Sequence, residues 1–305
     1  MTLKVLELFG GIGACTKALE RLGIPHEVVD YVEIDKHAVK SFNAIHNTNF
    51  EPQDITTWDK DIKCDLIMHG SPCQDFSLAG KQAGGDKGSG TRSSLMYETL
   101  RIVEKLQPKY VIWENVKNLL SKKHIHNYKA YVDEMERLGY GSATWVLNAK
   151  DCGIPQNRER VFTLSVRNGK AYTNPNFKAL PLKPLGCFLE IYVDKKYFLD
   201  QRKIDMISKW RCYEKPLDHI KDEFDLMGTI TTRSGAECGG MKLVNIGNGI
   251  RKLTPRECWR LMGFDDIDYE KASKVCSEAQ LYKQAGNSIV VNVLEVILKG
   301  LLCKN

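Results

Sequence analysis

The chain has 305 residues, of which 43% are hydrophobic and 27% charged, with a formal net charge of +6. That suits one large globular domain, or a large domain with a small one. No window holds the roughly 18 uninterrupted apolar residues of a membrane helix, and MTLKVLELFGG lacks the basic-then-apolar layout of a signal peptide, so a cytoplasmic chain with no membrane partner is expected.

The first predicted strand, LKVLELF (3–9), runs into a glycine-rich turn, GGIGA, and a helix over 13–22. Glycines there allow a tight turn and close approach of a ligand to a helix N-terminus. A second strand, EVVDYVE (27–33), ends on Glu33, where a carboxylate grips ribose hydroxyls in nucleotide sites. The pattern Gly11-x-Gly13-x-x-Thr16 lacks the third glycine of the strict dinucleotide fingerprint. It points to a nucleotide-type cofactor and leaves NAD and S-adenosylmethionine both open.

A helix over 36–46 precedes the strand DLIMHG (65–70), which opens into GSPCQDFSLAG (70–80). In open α/β sheets ligands bind outside the carboxyl ends of the strands, and Cys73 stands there, stiffened by Pro72. The other cysteines of the ten are scattered, with no CxxC pair and no zinc spacing. They read as free thiols in a reducing compartment, and no metal is expected. A thiol with a pKa near ~8.5 is a few per cent ionised at neutral pH and can act as a nucleophile.

A helix over 93–106 leads to the strand YVIWEN (110–115), which delivers Glu114 to the same edge. A helix over 127–138 and the strand SATWVLN (142–148) follow. QNRER (156–160) then places Arg158 and Arg160 at i and i+2, ahead of RVFTLSV (160–166). Singly these residues read as surface charges or ion pairs. Together, a thiol, a carboxylate and two guanidiniums at one edge make a site. Apolar strands alternating with helices imply a mostly parallel sheet covered on both faces.

After 167 the texture changes: prolines at 175, 181 and 184, charged stretches, and GAECGGMKLVNIGNG (235–249) read as a small irregular or β-rich domain. Most of the positive excess falls in 167–250, which hints at a polyanionic partner. TPRECWRLMGF then restores a helix, with Thr254 as N-cap and Pro255 at its first position. AGNSIVVNVLEVILKGLL closes the chain as a helix from Ser288 onward.

LELFGGIGA, EID, GSPCQDFSLAG, ENV, QNRER, RECWRLMGF and QAGNSIVVNV, in this order, resemble the DNA cytosine-5 methyltransferase family over nearly the whole chain apart from 167–250. The resemblance implies an S-adenosylmethionine-dependent, Rossmann-like α/β fold with a small inserted target-recognition domain. Residues 1–167 would be the catalytic and cofactor-binding domain, 168–251 the target-recognition domain, and 252–305 the C-terminal part of the catalytic domain. It implies that Cys73 attacks C6 of a flipped-out cytosine, that Glu114 protonates N3, that Arg160 contacts the O2 edge and helps keep Glu114 in place, and that Arg158 is supporting structure. Phe9, Gly11, Ile12, Gly13, Glu33, Ile34, Asp54, Ile55, Pro72, Leu95, Asn287 and Ser288 would bind S-adenosylmethionine. Gln74 and Ser77 in the glycine-rich loop, with Thr229 and Arg233 of TITTRSG, would meet double-stranded DNA. A monomer is expected.

Departures from the family pattern are visible. FGGIGA stands where Phe-Ala-Gly-x-Gly-Gly is frequent, Ser71 where a bulky residue is common, and Ser93 where a glycine is usual. Transfer-RNA cytosine-5 methyltransferases share the catalytic core, but their Cys-Phe-Thr element is broken here to CFL at 187–189. A nicotinamide-dependent dehydrogenase would leave Cys73, Glu114 and Arg160 unexplained. Nothing in the sequence specifies the target motif or an associated restriction endonuclease.

Overall fold

A computed structural model describes residues 2–72, 95–169, 179–209, 219–236, 240–247 and 249–303. Cys73, Gln74 and Ser77, with the rest of the loop to residue 94, lie outside the described residues.

Strands β1 (Leu3–Leu8), β2 (His26–Val32), β3 (Leu66–His69) and β4 (Tyr110–Val116) alternate with helices α1 (Ala14–Arg21), α2 (Lys36–His46) and α3 (Met96–Leu106). The last four residues of β1 and all of β3 are buried, as required of strands covered on both faces. Then come α4 (Ile125–Arg137), β5 (Tyr140–Asn148), β6 (Gln156–Asn157) and β7 (Glu159–Arg167). The main sheet has the order β2-β1-β3-β4-β7-β5. Its first three pairings are parallel, while β7 runs antiparallel to both β4 and β5. The expected mostly parallel α/β sheet is therefore present. The chain passes from β1 to β2 on one side and to β3 on the other, so the switch point lies at the carboxyl ends of β1 and β3. Leu6, Leu8, Ile67, Val111 and Trp113 of the sheet form a core with Met96, Leu100, Ile102 and Val103 of α3 and Tyr131 and Met135 of α4.

The chain divides into two compact units. The first comprises Met1–Asn148, Glu159–Lys178 and Val293–Asn305; the second comprises Ala149–Arg158 and Ala179–Asn292. Residues 252–292, expected beside the catalytic core, thus cluster with the segment expected to recognise the target.

The second unit contains β6, α5 (Gln201–Ile207), β8 (Ile220–Lys221), β9 (Met227–Gly228), β10 (Leu243–Asn245), β11 (Ile250–Lys252), α6 (Pro255–Leu261), α7 (Asp266–Ser273) and α8 (Glu278–Asn287). Its strands form two small sheets, β11-β10-β8 and β6-β9. α6 begins as expected: Thr254 Oγ1 accepts from Glu257 N, and Glu257 Oε2 accepts from Thr254 N. This capping box holds a second partner. Arg251 donates to both Glu257 oxygens at 2.7 and 2.8 Å, and the two side chains are 1% and 0% exposed. Glu190 N donates to the same carboxylate at 2.8 Å. A buried charge pair is stable only when its remaining hydrogen-bonding capacity is also used, and Glu257 satisfies that condition.

The C-terminal helix, α9 (Val291–Leu302), begins later than expected. Ser288 is extended, with φ −72° and ψ 160°, and caps the end of α8. The stretch Glu278–Leu302 is long and apolar enough to cross a membrane by length and composition, with 44% of its window buried in the protein. Its apolar side chains are used inside, where Val291, Leu294, Ile297 and Leu298 are fully buried. From Val293 the helix belongs to the first unit, and Glu295 meets Arg21 of α1 at 3.5 Å.

Arg251→Ala should destabilise the protein by about 3–5 kcal/mol in guanidinium unfolding, because it leaves the Glu257 carboxylate buried without its cation. A loss below about 1 kcal/mol, the range of an exposed pair, would show that Glu257 finds another partner.

Candidate active site

The turn after β1 reverses the chain within five residues. Phe9, Gly11 and Gly13 all have left-handed φ, at 54°, 56° and 80°. Phe9 N and Gly10 N both donate to Val32 O, at 2.7 and 3.4 Å, which ties the turn to the end of β2. At Gly13 a Cβ would fall 2.4 Å from His46 Nε2 and 2.7 Å from the Phe42 ring, so the packing requires glycine as much as the φ does. Gly11 differs: a Cβ there would meet nothing within 4 Å. Its left-handed backbone faces open space, as a turn built for ligand approach should.

Glu33 stands beside that space. Its carboxylate accepts from Gly11 N at 3.2 Å and from Asp35 N at 2.8 Å. Burial raises its pKa, and the backbone N–H groups of Asp35 and Gly11 oppose the rise. Two oxygens held this way keep lone pairs for vicinal hydroxyls. Ile34 is 68% exposed, an unpaired apolar surface one residue away. Asp54 is exposed and accepts from Thr56 N and Oγ1. Ile12 and Ile55 are buried, at 2% and 4% exposure. Phe9 and Leu95 pack partly buried on the core, and Pro72 is half-buried.

Glu7, in the middle of the apolar run of β1, is a site-supporting residue that the sequence reading missed. It is 2% exposed. Its Oε1 accepts from Thr16 N at 2.9 Å and from Thr16 Oγ1. Thr16 is the third residue of α1, whose N-cap Gly13 has no side chain to offer; Glu7 fills that role from the neighbouring strand. Burial raises its pKa against the bonds from Thr16 and the charge of His46. The signal was present in LELF, as a carboxylate inside a run that should be buried on both faces.

At the other end of the same edge, Glu114 pairs with Phe162 across β4 and β7, while Arg160 pairs with Val116. Glu114 and Arg160 are thus diagonal neighbours on one face. Their side chains meet at 3.2 Å, Arg160 Nε to Glu114 Oε1, with 18% and 12% exposure. Arg160 Nη1 is further held by Glu159 O at 2.8 Å. A carboxylate so fixed can accept from an amino group and exchange a proton with an adjacent ring nitrogen, while the guanidinium faces a neighbouring carbonyl.

Arg158 behaves differently from Arg160. It is 4% exposed and donates to Ile230 O at 2.7 Å, Gly286 O at 3.2 Å and Ser288 O at 2.7 Å, all within the second unit. It lies before β7 begins, so the alternation of a strand does not extend to it. Asn287 ends α8 in the same unit. Thr229 Oγ1 donates to Asn157 O at 2.7 Å, and Arg233 is exposed.

The family model of C-5 cytosine-specific DNA methylases matches residues 3–303. The chain is 34% identical to the type II methyltransferase M2.ScrFI of Lactococcus lactis subsp. cremoris, over 98% of this chain and 99% of that protein. It is 32% identical to the type II methyltransferase M.Bsp6I of a Bacillus species, over 98% of each. Among solved structures, the Dnmt2 methyltransferase of S. pombe superposes with a TM-score of 0.77 at 22% identity, over 99% of this chain and 98% of that one. At that identity the likeness speaks for the fold.

Glu7 can be tested on stability. With its pKa raised in the folded state, its contribution is present at low pH and lost as pH rises through the folded-state pKa. Glu7→Gln keeps an acceptor for Thr16 without the buried charge, so it should gain on the wild type as pH rises above the ordinary carboxylate range of about 4–5. Glu7→Ala should lose about 1–3 kcal/mol because buried donors are orphaned. Denaturant midpoints across pH decide it; parallel profiles for wild type and Glu7→Gln would refute the buried-charge assignment.

Proposed function

Given that this chain belongs to the C-5 cytosine-specific DNA methylase family, we propose that its DNA cytosine-5 methyltransferase activity runs through a covalent adduct between Cys73 and C6 of a cytosine flipped out of duplex DNA. S-adenosylmethionine is the methyl donor and supplies an electrophilic sulfonium methyl group. The observation that carries the proposal is the Glu114–Arg160 pair, held at 3.2 Å, with Glu114 on the strand next to β3, which precedes Cys73 in the chain.

The cytosine ring resists nucleophiles until N3 is protonated or hydrogen-bonded. Glu114 supplies that proton and holds the exocyclic amine, while Arg160 keeps the carboxylate in place and faces O2. The Cys73 thiolate adds to C6, and the C5–C6 electrons become available at C5. Once C5 has taken the methyl group, with the donor's thioether as leaving group, the C5 proton passes to water, Cys73 is eliminated to restore the C5–C6 double bond and the free thiolate, and N3 returns its proton to Glu114. One difficult substitution thus becomes an addition and an elimination. C5 and C6 are hidden in a stacked duplex, so the base must leave the stack.

The open space at Gly11, the carboxylate of Glu33 and the exposed Ile34 fit a nucleoside ligand: small backbone against the chain, acceptors for ribose hydroxyls, an apolar face for a purine. Asp54 offers an acceptor nearby in sequence, and Arg158 acts as support rather than touching substrate. Residues 168–251 are the proposed target-recognition segment, with Thr229 and Arg233 on DNA. We place the enzyme in the cytoplasm as a monomer, in the restriction–modification setting that its type II relatives' names carry.

Duplex DNA carrying 5-fluorocytosine at the target should become covalently attached in the presence of S-adenosylmethionine, because fluorine cannot leave as a cation. Cys73→Ala should abolish the adduct but still bind DNA, since phosphate contacts do not use the thiol. Glu114→Gln should slow its formation by roughly 100- to 10,000-fold, the range of a lost general acid. An adduct that persists in Cys73→Ala would overturn the assignment. One formed on transfer RNA and not on duplex DNA would transfer the activity to RNA. Exchanging 168–251 with a relative's segment should change the methylated motif, read by bisulfite sequencing; an unchanged motif would place recognition elsewhere.

A further inference from the structure

Beneath the catalytic edge, on the face of β4 opposite Glu114, lies a buried polar and aromatic cluster. Side chains alternate along a strand, so Trp113 and Asn115 share one face and Glu114 points to the other. Trp113 stands directly across from His69, the last residue of β3. Their rings lie parallel, 4° apart in plane with centroids at 5.9 Å. Tyr131 of α4 lies against Trp113 with centroids at 4.1 Å and the rings tilted by 37°, and its hydroxyl is 3.0 Å from His69 Nε2. Burial pushes the His69 pKa down to about 3, so the imidazole is neutral at physiological pH. Trp113 donates its indole N–H to Ser71 Oγ at 3.0 Å, and Asn115 Nδ2 donates to Ser71 O at 3.3 Å. Asn115 Oδ1 accepts from Val116 N at 2.8 Å. Ser71, Trp113 and Asn115 are 3%, 1% and 1% exposed, and His69 and Tyr131 fully buried.

We propose that Ser71 and Trp113 are positioning residues: their hydrogen bond, beside the one from Asn115, ties the strand bearing Glu114 to the residue two before Cys73 in the chain, and the rate of the covalent step depends on that tie. Ser71 lies two residues before Cys73. Both of its exposed-to-bonding atoms, the hydroxyl oxygen and the carbonyl oxygen, receive donors from β4. The donors sit on either side of Glu114 in sequence. β4 cannot rotate about its axis without breaking one of these bonds, and the loop root cannot shift without breaking the other. Ser71 also explains the departure at this position. Where a bulky residue is common before Pro-Cys, here the bulk comes from Trp113 of the adjacent strand, and the small hydroxyl makes room for it while accepting its N–H. A buried indole N–H needs such an acceptor.

The importance of this cluster for catalysis rests on Cys73 and Glu114 being the reacting pair. Ser71→Ala and Trp113→Phe each remove the same hydrogen bond from opposite sides, and both keep apolar packing. Methylation rates and the rate of adduct formation on 5-fluorocytosine duplex DNA are measured for each variant and for the double variant, at a temperature where all are folded by circular dichroism. The expected result is a kcat and a trapping rate lowered about 10- to 100-fold, as for a misplacement of reacting groups by an ångström or less. KM for DNA and S-adenosylmethionine should stay within about threefold, and the double variant should be no slower than the slower single one. Wild-type trapping rates in Ser71→Ala, or losses that multiply in the double variant, would overturn the positioning role. If the wild type itself forms no adduct, the Cys73 reading fails instead, and the two failures are distinguished.

Discussion

A carboxylate only 12% exposed must be given a cation or donors, and on this sheet the cation arrives because β7 runs against β4. In an all-parallel sheet the residues that precede a strand lie at the amino edge. Reversing β7 brings its first residues to the carboxyl edge, so Arg160 stands diagonal to Glu114 instead of a strand length away. The chemistry at this edge depends on that single reversal. The loop carrying Cys73 leaves from β3, the immediate neighbour of β4 on its other side.

The cofactor end of the edge obeys a related constraint. A chain that turns from strand to helix in five residues leaves the first N–H groups of the helix without partners. Here the helix has glycine at its N-cap, because any side chain at Gly13 would collide with Phe42 and His46. The cap therefore comes from behind, as the buried carboxylate of Glu7. The outer side of the turn stays clear at Gly11. Glu33 is aligned by N–H groups of the turn and of its own loop, so the ligand-facing carboxylate and the turn hold each other in place. Tyr31 adds a bond from its hydroxyl to Gly11 O at 2.5 Å.

The second unit relies on internal clamps of the same kind. Its strands are two or three residues long and supply few ladder bonds. Two buried arginines compensate: Arg251 on the capping carboxylate of α6, and Arg158 on three carbonyls, of Ile230, Gly286 and Ser288. Guanidinium suits this work because it carries five donors in a rigid plane and stays charged. Gln156 performs a similar function with its amide, donating to Leu261 O and accepting from Ile230 N, both at 2.8 Å.

Apart from the two-residue β6, the strands and the longer helices of the first 167 residues, the Thr254 cap and the motifs that mark the site were legible in the sequence, because each rests on local signals: runs of apolar residues at strand or helix spacing, glycines in a turn, a capping residue before proline. What could not be read there is long-range. The direction of β7, the carbonyl partners of Arg158, the break at Ser288 between α8 and α9, and the membership of 252–292 in the second unit depend on partners distant in the chain. Arg158 and Arg160 sit two apart in one motif, yet one bonds carbonyls 72 to 130 residues away and the other a carboxylate on the adjacent strand. Sequence by itself determined which residue types were available and at what spacing. Only the tertiary structure decided which partners they meet, because a buried charge or donor is satisfied by whatever group the fold brings within hydrogen-bonding distance, whatever its separation along the chain.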